Sequence, residues 1–264
     1  MTTVQVNISG GIATITLNDQ KHLNALTPED YNAFAEALRT IDARDDVIAT
    51  IWQATGRWFC SGTNVSKSGE VLSVRETFLQ RVARANTDVT HALYSHSKLL
   101  IAALNGPVMG IAAAFLGHFD FIYCLPGAWL SVPFTFIGII TEGGSSVTFA
   151  QRMGVAKANE VLIFGKKVDS QGLLECGFVN KIFPDQSVES FQHAVRKHLE
   201  SELDGLDKVA VLHVKKLLKA ARASQNDPDA TNLRESYAQA ERLASGVPTE
   251  RFARIARKEL RHKL

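Results

Sequence analysis

The sequence is poor in cysteine, which disfavours two classes of small stabilised protein. Its 264 residues include only Cys60, Cys124 and Cys176, which lie far apart and form no CxxC pair. An odd number of scattered cysteines builds neither a disulfide framework nor a zinc site. We therefore expect three free thiols, buried or half-buried, in a protein of a reducing compartment. The eight histidines also offer no pair on one helical face, so we predict no metal site.

An excess of charge of one sign is also absent. The formal net charge is +2, and no block of like charge reaches five residues. Nucleic-acid-binding proteins usually carry a larger basic excess, so we predict no nucleic-acid partner. With 45% hydrophobic and 21% charged residues, the composition is that of a soluble globular protein. The length fits one large domain, or one domain with a small appendage.

Uninterrupted apolar runs of membrane-spanning length are lacking too. Residues 99–141 contain a single Asp, Glu, Lys or Arg, which is Asp120. A membrane-spanning helix needs about 20 apolar residues in succession. Proline and glycine interrupt both halves of the stretch, at Asn105-Gly106-Pro107 and again at Pro126, Gly127 and Pro133. Each remaining piece is too short to span a bilayer, so we predict no membrane insertion.

The same stretch predicts a buried strand–helix–strand unit. We expect a strand at residues 99–104, a helix at residues 108–116 and a second strand at residues 119–124. Strands this apolar are typical of parallel sheets that are covered on both faces. The middle of the chain therefore indicates an α/β fold.

The two ends of the chain have different patterns. Alternating apolar residues at 4–8 and 12–17, around a glycine pair, predict a β-hairpin. Thr27-Pro28-Glu29-Asp30 predicts a helix start, with a capping hydroxyl, a proline at the first position and acids in the first turn. Residues 70–96 indicate helix, and from about residue 188 the chain indicates four helices in succession. We predict an α/β body followed by a helical tail.

Three glycine-containing loops connect a predicted strand to a predicted helix, which is where sites form in parallel α/β folds. They span residues 59–64, 105–111 and 137–144. Glycine at a helix start lets a ligand approach free backbone N–H groups, and two such groups from different loops can hold an oxyanion. The alternative is that these glycines only make tight turns. The local pattern leaves both interpretations open.

Glu142 is the sharpest candidate for chemistry. It is the only acidic residue between Asp120 and Glu160, and it follows the apolar residues 136–140. A carboxylate in such surroundings loses solvation, which raises its pKa and makes it a stronger base. The alternative is a helix-terminal acid bound by the two amides that follow it. The pattern alone does not decide between the two roles.

Four motifs, in this order and spacing, resemble the crotonase (enoyl-CoA hydratase/isomerase) superfamily along nearly the whole chain. They are Asn24-Ala25-Leu26, Phe59-Cys60-Ser61-Gly62-Thr63-Asn64, Asn105-Gly106-Pro107-Val108-Met109-Gly110 and Ile139-Ile140-Thr141-Glu142-Gly143-Gly144. The resemblance is greatest to fungal peroxisomal Δ3,Δ2-enoyl-CoA isomerases, because Glu142 stands where they carry the catalytic acid. It implies an α/β spiral of ββα turns over residues 1–200 and a helical C-terminal trimerisation region over residues 201–264. It also implies a homotrimer or homohexamer.

The resemblance further implies a reaction on an acyl-CoA substrate in fatty-acid β-oxidation. The double bond of a 3-enoyl-CoA would move to the trans-2 position, with Glu142 as the catalytic base. The backbone N–H groups of Thr63 and Ile111 would form the oxyanion hole. Because coenzyme A is part of the substrate, no separate cofactor is expected. The implied substrate contacts are Asn24, Ala25, Leu26, Ser61, Gly62, Asn64, Val65, Gly110 and Phe134.

Departures from the family pattern narrow the choice among the reactions of the family. Hydratases of this family hold the attacking water with two glutamates, and Ala114 and Phe134 stand at those positions here. Dienoyl-CoA isomerases carry an acid at the Phe134 position as well as at the Glu142 position. The absence of a second acid favours the simple double-bond shift. A dienoyl-CoA isomerase, another crotonase-type acyl-CoA enzyme and a non-catalytic acyl-CoA-binding protein remain as alternatives.

The last three residues, His262-Lys263-Leu264, resemble the Ser-Lys-Leu peroxisomal address with His in place of Ser. The alternative is a chance basic ending. Together with the family resemblance, the tripeptide predicts a peroxisomal enzyme that binds an import receptor. The resemblance also makes Arg254, Arg257 and Lys258 candidates for binding the coenzyme A phosphates.

Overall fold

The structure is a computed structural model that describes residues 2–64 and 71–262. Within these ranges the strands are β1 (Val4–Ser9), β2 (Ile12–Leu17), β3 (Ala49–Ala54), β4 (Leu99–Leu104), β5 (Val108–Met109), β6 (Phe121–Cys124), β7 (Trp129–Ser131), β8 (Val168–Asp169) and β9 (Lys181–Ile182). The α-helices are α1 (Pro28–Asp42), α2 (Val74–Thr77), α3 (Val89–Ser95), α4 (Gly110–Phe115), α5 (Phe134–Ile137), α6 (Ser145–Phe164), α7 (Ser170–Glu175), α8 (Val188–Leu203), α9 (Lys208–Gln225), α10 (Pro228–Ala244) and α11 (Val247–Ala256). A π-helical segment, Phe78–Asp88, joins α2 to α3.

The larger sheet has six strands in the order β1-β2-β3-β4-β6-β9. β1 and β2 form the predicted antiparallel hairpin. All other neighbouring pairs in this sheet are parallel, including β4 with β6, which confirms the strand–helix–strand prediction. Because parallel strands end at the same edge of a sheet, the loops that follow β3 and β4 leave the sheet on the same side.

A smaller sheet with the order β5-β7-β8 corrects the predicted helix at residues 108–116. Residues 108 and 109 form β5, and α4 begins only at Gly110. The reason is a backbone bridge between Val108 and Cys60, which keeps residue 108 extended. In the larger sheet, β6 also begins later than predicted, at Phe121 rather than at residue 119.

α1 begins where the sequence predicts. The Thr27 hydroxyl accepts a hydrogen bond from the Asp30 N–H, and the Asp30 carboxylate accepts one from the Thr27 N–H at 3.0 Å. This reciprocal cap satisfies two N–H groups that a helix start leaves without partners. Asp30 also accepts the Thr3 N–H at 2.7 Å, so the same carboxylate ties the start of the hairpin to α1.

Aromatic side chains between α1 and the larger sheet form the centre of the core. Trp52 of β3 stacks between Phe34 of α1 and Phe119, with ring centroids 4.7 and 5.6 Å apart, and meets Phe59 edge-on. All four side chains are fully buried. Because Phe59 opens the loop of residues 59–64, this loop is anchored in the core at its base.

The C-terminal helices pack back on the α/β body. α10 lies against the π-helical segment, where the Thr87 hydroxyl bonds the Ser236 hydroxyl at 2.9 Å and Asn232 Nδ2 donates to the Thr87 carbonyl at 2.9 Å. α8 runs across the predicted boundary at residue 200. The division into a core and a trimerisation region stays a prediction.

The three cysteines are free, with Cys60 and Cys124 buried and Cys176 half-buried, as the sequence predicts. None of the helices in the two described ranges is long and apolar enough to cross a bilayer. In the same part of the chain, no group of three or more His, Cys, Asp or Glu side chains could hold a metal ion.

Candidate active site

Backbone hydrogen bonds join the first two motifs. The Leu26 N–H donates to the Gly62 carbonyl at 2.8 Å, and the Asn64 N–H donates to the Leu26 carbonyl at 2.9 Å, in a parallel bridge between Leu26 and Thr63. Leu26 therefore bonds the residues on either side of Thr63. In a parallel pair this leaves the N–H of Thr63 itself facing away from Leu26.

The second and third motifs are also in contact. The Met109 N–H donates to the Cys60 carbonyl at 2.9 Å. Gly62 and Gly110 lie against each other, since a Cβ placed on either glycine would be 3.7 Å from the Cα of the other. Their φ angles are +93° and +61°, in the region that favours glycine. These glycines thus allow two loops to approach closely, and do more than turn the chain.

Thr63 and Ile111 directly follow these two glycines. Ile111 is the second residue of α4, where a helix leaves its N–H groups without an intrahelical acceptor. Among the described residues, no backbone carbonyl accepts the N–H of Thr63. The side chain of Thr63 is held by Tyr31, whose phenol oxygen lies 2.7 Å from the Thr63 hydroxyl oxygen. The two amides follow glycines that are in contact, and their role as an oxyanion hole stays a prediction.

Glu142 lies in a loop that packs against α4, and its side chain is only 6% exposed. A Cβ placed on the following residue, Gly143, would be 3.2 Å from the Cβ of Ala114 on α4. The carboxylate accepts two hydrogen bonds, both on Oε2, from Asn86 Nδ2 at 2.7 Å and from Gln239 Nε2 at 2.8 Å. Among the described residues no donor is paired with Oε1.

Burial raises the pKa of Glu142 to about 7. The hydrogen bonds from Asn86 and Gln239 act in the opposite direction, and the charge of Glu235 adds to the rise. Burial also raises the pKa of Tyr31 well above its ordinary value; the hydrogen bond with Thr63 opposes this rise, and the charge of Glu142 adds to it. With a pKa of about 7, the Glu142 carboxyl group is partly protonated and partly ionised near neutral pH. This suits a group that takes a proton and returns it.

The alternative role of Glu142, as a helix-terminal acid, is filled by another residue. α6 begins at Ser145, and the N–H groups of Gly144 and Ser146 donate to the Glu235 carboxylate at 2.7 and 3.0 Å. Glu235 therefore provides the negative charge that a helix N-terminus favours. The Glu142 carboxylate is bonded to side-chain amides instead.

The raised pKa of Glu142 predicts a pH-dependent gain in stability from Glu142→Gln. In the wild type, the raised pKa of Glu142 contributes to the free energy of unfolding. This contribution is fully present below the unfolded pKa of 4.5 and is lost as the pH rises through about 7. Relative to wild type, the variant should gain on the order of 3 kcal/mol between pH 4.5 and pH 9. Urea unfolding of both proteins at the two pH values measures the gain.

A matched control for this measurement is Glu241→Gln, because Glu241 is an exposed glutamate of α10. Its stability relative to wild type should not change with pH in the same way. An equal difference between wild type and Glu142→Gln at both pH values would contradict a raised pKa at residue 142.

Asn24 stabilises its own loop. Its side chain donates to the carbonyl groups of Thr55 at 2.9 Å and Trp58 at 2.8 Å, and accepts the Asp19 N–H at 2.8 Å. It is 2% exposed and has a left-handed φ of +55°. The side chain of this predicted substrate contact is thus occupied by the protein's own backbone.

The other predicted substrate contacts differ in accessibility. Leu26 and Phe134 are fully buried, so their side chains support the site from within the core. The half-buried positions are Ala25, Ser61, Asn64 and Gly110. Val65 lies outside the described residues. Among the candidates for phosphate binding, Arg254 and Arg257 lie 3.6 and 2.6 Å from the Glu259 carboxylate.

The structure adds residues that the sequence analysis did not predict. Asn86 belongs to the π-helical segment, an unusual helix type that often occurs at functional sites. Gln239 and Glu235 lie on α10, in the helical tail. His118 contacts the same loop through a 2.8 Å hydrogen bond to the Gly143 carbonyl, and burial lowers its pKa to about 4, so it donates as a neutral ring. A sequence signal for the two α10 residues was absent, because polar residues in a helix usually face solvent.

Comparison with known proteins identifies the family of this chain. The sequence profile of the family Enoyl-CoA hydratase/isomerase matches residues 7–251. The chain is 36% identical to a Delta(3,5)-Delta(2,4)-dienoyl-CoA isomerase of Pyricularia oryzae, over 98% of each chain. It is 33% identical to the 3,2-trans-enoyl-CoA isomerase of Saccharomyces cerevisiae, over 99% of this chain and 96% of that protein.

Similarity also extends to solved structures. The crystal structure of an enoyl-CoA hydratase/isomerase from Pseudoalteromonas atlantica superposes with a TM-score of 0.83, at 24% identity, and the match covers 99% of this chain and 100% of that one. The predicted crotonase-like fold is thereby confirmed. On the profile match and the two relatives, this chain belongs to the enoyl-CoA hydratase/isomerase family.

Proposed function

We propose that this enzyme is a Δ3,Δ2-enoyl-CoA isomerase, which moves the double bond of a 3-enoyl-CoA to the trans-2 position. The observation that carries the proposal is the Glu142 carboxylate, which is buried and has a pKa of about 7. Two amides hold its Oε2, and no donor among the described residues is paired with its Oε1. A single base of this kind suits a reaction in which one proton leaves a carbon atom and returns to another. The name of the Saccharomyces relative supports the same reaction.

The reaction begins with the thioester oxygen bound by the N–H groups of Thr63 and Ile111. Removal of a proton from C2 places negative charge on that oxygen, and each amide contributes roughly 10²–10³ in rate by analogy with other oxyanion holes. Glu142 Oε1 accepts the C2 proton and returns it to C4 on the same face of the acyl chain. The C3–C4 bond becomes single, the C2–C3 bond becomes double, and Glu142 is regenerated as a base.

Hydration is disfavoured because the attacking water has no second carboxylate to hold it. Ala114 and Phe134, at the positions of the hydratase glutamates, are apolar and fully buried. Glu235 is the neighbouring acid whose charge acts on Glu142, but backbone N–H groups occupy both of its oxygens. The apolar surroundings also exclude water, so the proton is retained between its removal and its return.

A dienoyl-CoA isomerase is the second candidate, because the Pyricularia relative of that name is 36% identical over 98% of the chain. That reaction moves two double bonds and returns the proton to C6, farther along the acyl chain. A second acid near C6 suits it better than one carboxylate does. Phe134, in place of that acid, favours the shorter shift.

Turnover of two substrates separates the candidates. We expect kcat/KM for trans-3-hexenoyl-CoA to exceed that for a 3,5-dienoyl-CoA by at least about 100-fold, which is the lower range of what a missing acid group costs. Ultraviolet absorbance of the thioester-conjugated double bond measures product formation, with Glu142→Gln as the background control. Faster turnover of the dienoyl substrate would support the second candidate. Binding of acyl-CoA without turnover of either substrate would indicate a non-catalytic binding protein.

A homotrimer or homohexamer is part of the proposal, with the C-terminal helices as its contact region. Support comes from α9, which exposes several apolar side chains of the kind that mark protein contacts. They are Val209, Val214, Leu217 and Leu218. The number of subunits stays a prediction.

A peroxisomal location is also part of the proposal. It rests on the terminal tripeptide and on the enoyl-CoA hydratase/isomerase family. His262 is half-buried, and its ring meets Phe136 at 4.6 Å between centroids. Lys263 and Leu264 lie outside the described residues, so binding to an import receptor stays a prediction.

A further inference from the structure

We propose that Gln239 is a positioning residue for the catalytic base, and that one face of α10 holds the loop of residues 138–146 in its working conformation. The inference rests on the proposed function, since it takes Glu142 as the base. It assigns to the helical tail a part in the chemistry, in addition to any part in subunit contact.

The contacts follow a regular register between the helix and the loop. Arg242 Nε donates to the Gly138 carbonyl at 2.6 Å, and Gln239 Oε1 accepts the Ile140 N–H at 3.2 Å. The second group of Gln239, its Nε2, donates to Glu142. Glu235 then accepts the Gly144 and Ser146 N–H groups, so every second residue from 138 to 146 is bonded to α10.

The three side chains of α10 belong to one helical face. Residues 235, 239 and 242 are spaced at i, i+4 and i+7, which places them above one another. Glu235 and Gln239 are 6% and 2% exposed. Buried polar groups of a helix must be paired, and here the loop that carries Glu142 provides all of the pairing partners named above.

Gln239 determines which oxygen of the Glu142 carboxylate is left without a donor. The Ile140 N–H donates to Oε1 of Gln239, so the side-chain amide of Gln239 turns its Nε2 toward Glu142. Both donors to Glu142 then meet on Oε2. With Oε2 of Glu142 held, the carboxylate cannot rotate without breaking two hydrogen bonds, so Oε1 remains the oxygen that is left for the proton transfer of the proposed reaction.

The same contact also tunes the base. A donor to the charged form lowers the pKa of a carboxyl group, whereas a nearby negative charge raises it. Gln239 and Glu235 therefore act on the pKa of Glu142 in opposite directions from adjacent turns of one helix. Without Gln239, burial and Glu235 would keep Glu142 protonated to higher pH.

The test is the pH profile of Gln239→Leu and Gln239→Glu, with Glu241→Leu on the exposed face of α10 as the matched control. For Gln239→Leu we expect kcat/KM at pH 7 to fall by about 10- to 100-fold, mostly in kcat, as for loss of one hydrogen bond to a charged group. The midpoint of the rising limb should move up by about one pH unit. Gln239→Glu keeps an acceptor for Ile140 and places a second carboxyl group beside Glu142. Two adjacent carboxyls share one proton and hold it to higher pH, so the midpoint should move farther.

Infrared difference titration of the carboxyl band, with Glu142→Gln subtracted, gives the pKa of Glu142 without any turnover. It therefore keeps the test independent of the proposed reaction, whose failure would appear as an inactive wild type. A pKa of Glu142 that is higher in both Gln239 variants, and unchanged in Glu241→Leu, supports the inference. An unchanged pKa in a folded Gln239 variant, or a uniform loss of activity at all pH values, would overturn it.

Discussion

Replacing Glu142 by glutamine is expected to lower kcat/KM for a 3-enoyl-CoA by about 10²–10⁴-fold, the usual contribution of a general base. Glutamine has nearly the same shape, and its carbonyl oxygen can still accept the hydrogen bonds from Asn86 and Gln239. What it lacks is an oxygen that can take a proton from C2. The affinity for acyl-CoA should change little, because that affinity resides in other contacts.

Steady-state kinetics and calorimetric titration with a saturated acyl-CoA measure the two quantities separately. The wild-type rate should also rise with pH through a midpoint near 7, as Glu142 loses its proton. Glu142→Ala serves as a second variant, with the same expected loss. Activity near that of wild type in either variant would remove Glu142 from the mechanism.

Gly62→Ala is expected to have the second largest effect, with a loss of about 10²–10³-fold in kcat. A Cβ at this position would lie 3.2 Å from the Met109 carbonyl oxygen, so the loops that meet at Gly62 and Gly110 would have to shift by a few tenths of an ångström. In the proposed reaction this shift displaces the Thr63 amide from the thioester oxygen. The positive φ of Gly62 adds a cost of about 1–2 kcal/mol in stability for any L-residue.

Control variants at two other glycines separate the steric effect on the loops from the backbone cost of a positive φ. Gly205 has a φ of +72° but open space around its Cβ position, so Gly205→Ala reproduces the backbone cost alone. Gly127 has neither a positive φ nor a neighbour within 4 Å, so Gly127→Ala reproduces the substitution alone. Both should keep wild-type kcat. If Gly205→Ala lost as much activity as Gly62→Ala, the effect would be one of stability and not of an oxyanion site.

Local sequence patterns predicted the elements whose cause is local. The hairpin of β1 and β2 follows from alternation around a glycine pair, and the start of α1 follows from a cap, a proline and two acids. Buried parallel strands were predicted from apolar runs between prolines and glycines. The short strands of the smaller sheet were missed because two or three residues form no pattern, and their pairing is decided by distant partners such as Cys60.

The residues of the candidate site also fall into those that a local sequence pattern predicts and those that it does not. Glu142 can be recognised from the sequence because a lone acid in an apolar segment is unusual, and the four motifs locate the loops that the structure brings into contact. Asn86, Gln239 and Glu235 cannot be recognised in this way, because amides and acids in helices usually face solvent. Their burial is a consequence of α10 packing against the π-helical segment, which no local pattern encodes. The side chain of Asn24 bonds the backbone of its own loop, and the contact of its segment with substrate stays a prediction.

The most direct test of a single carboxylate serving both proton transfers is the fate of the deuterium in 2,2-dideuterated trans-3-hexenoyl-CoA, converted in ordinary water. Mass spectrometry and NMR of the product, at low conversion, count and locate the label. The account predicts that a product fraction retains both deuterium atoms, one at C2 and one at C4, because Glu142 carries the label across a site that excludes water. A product that from the first turnovers has hydrogen at C4 and only one deuterium would contradict it.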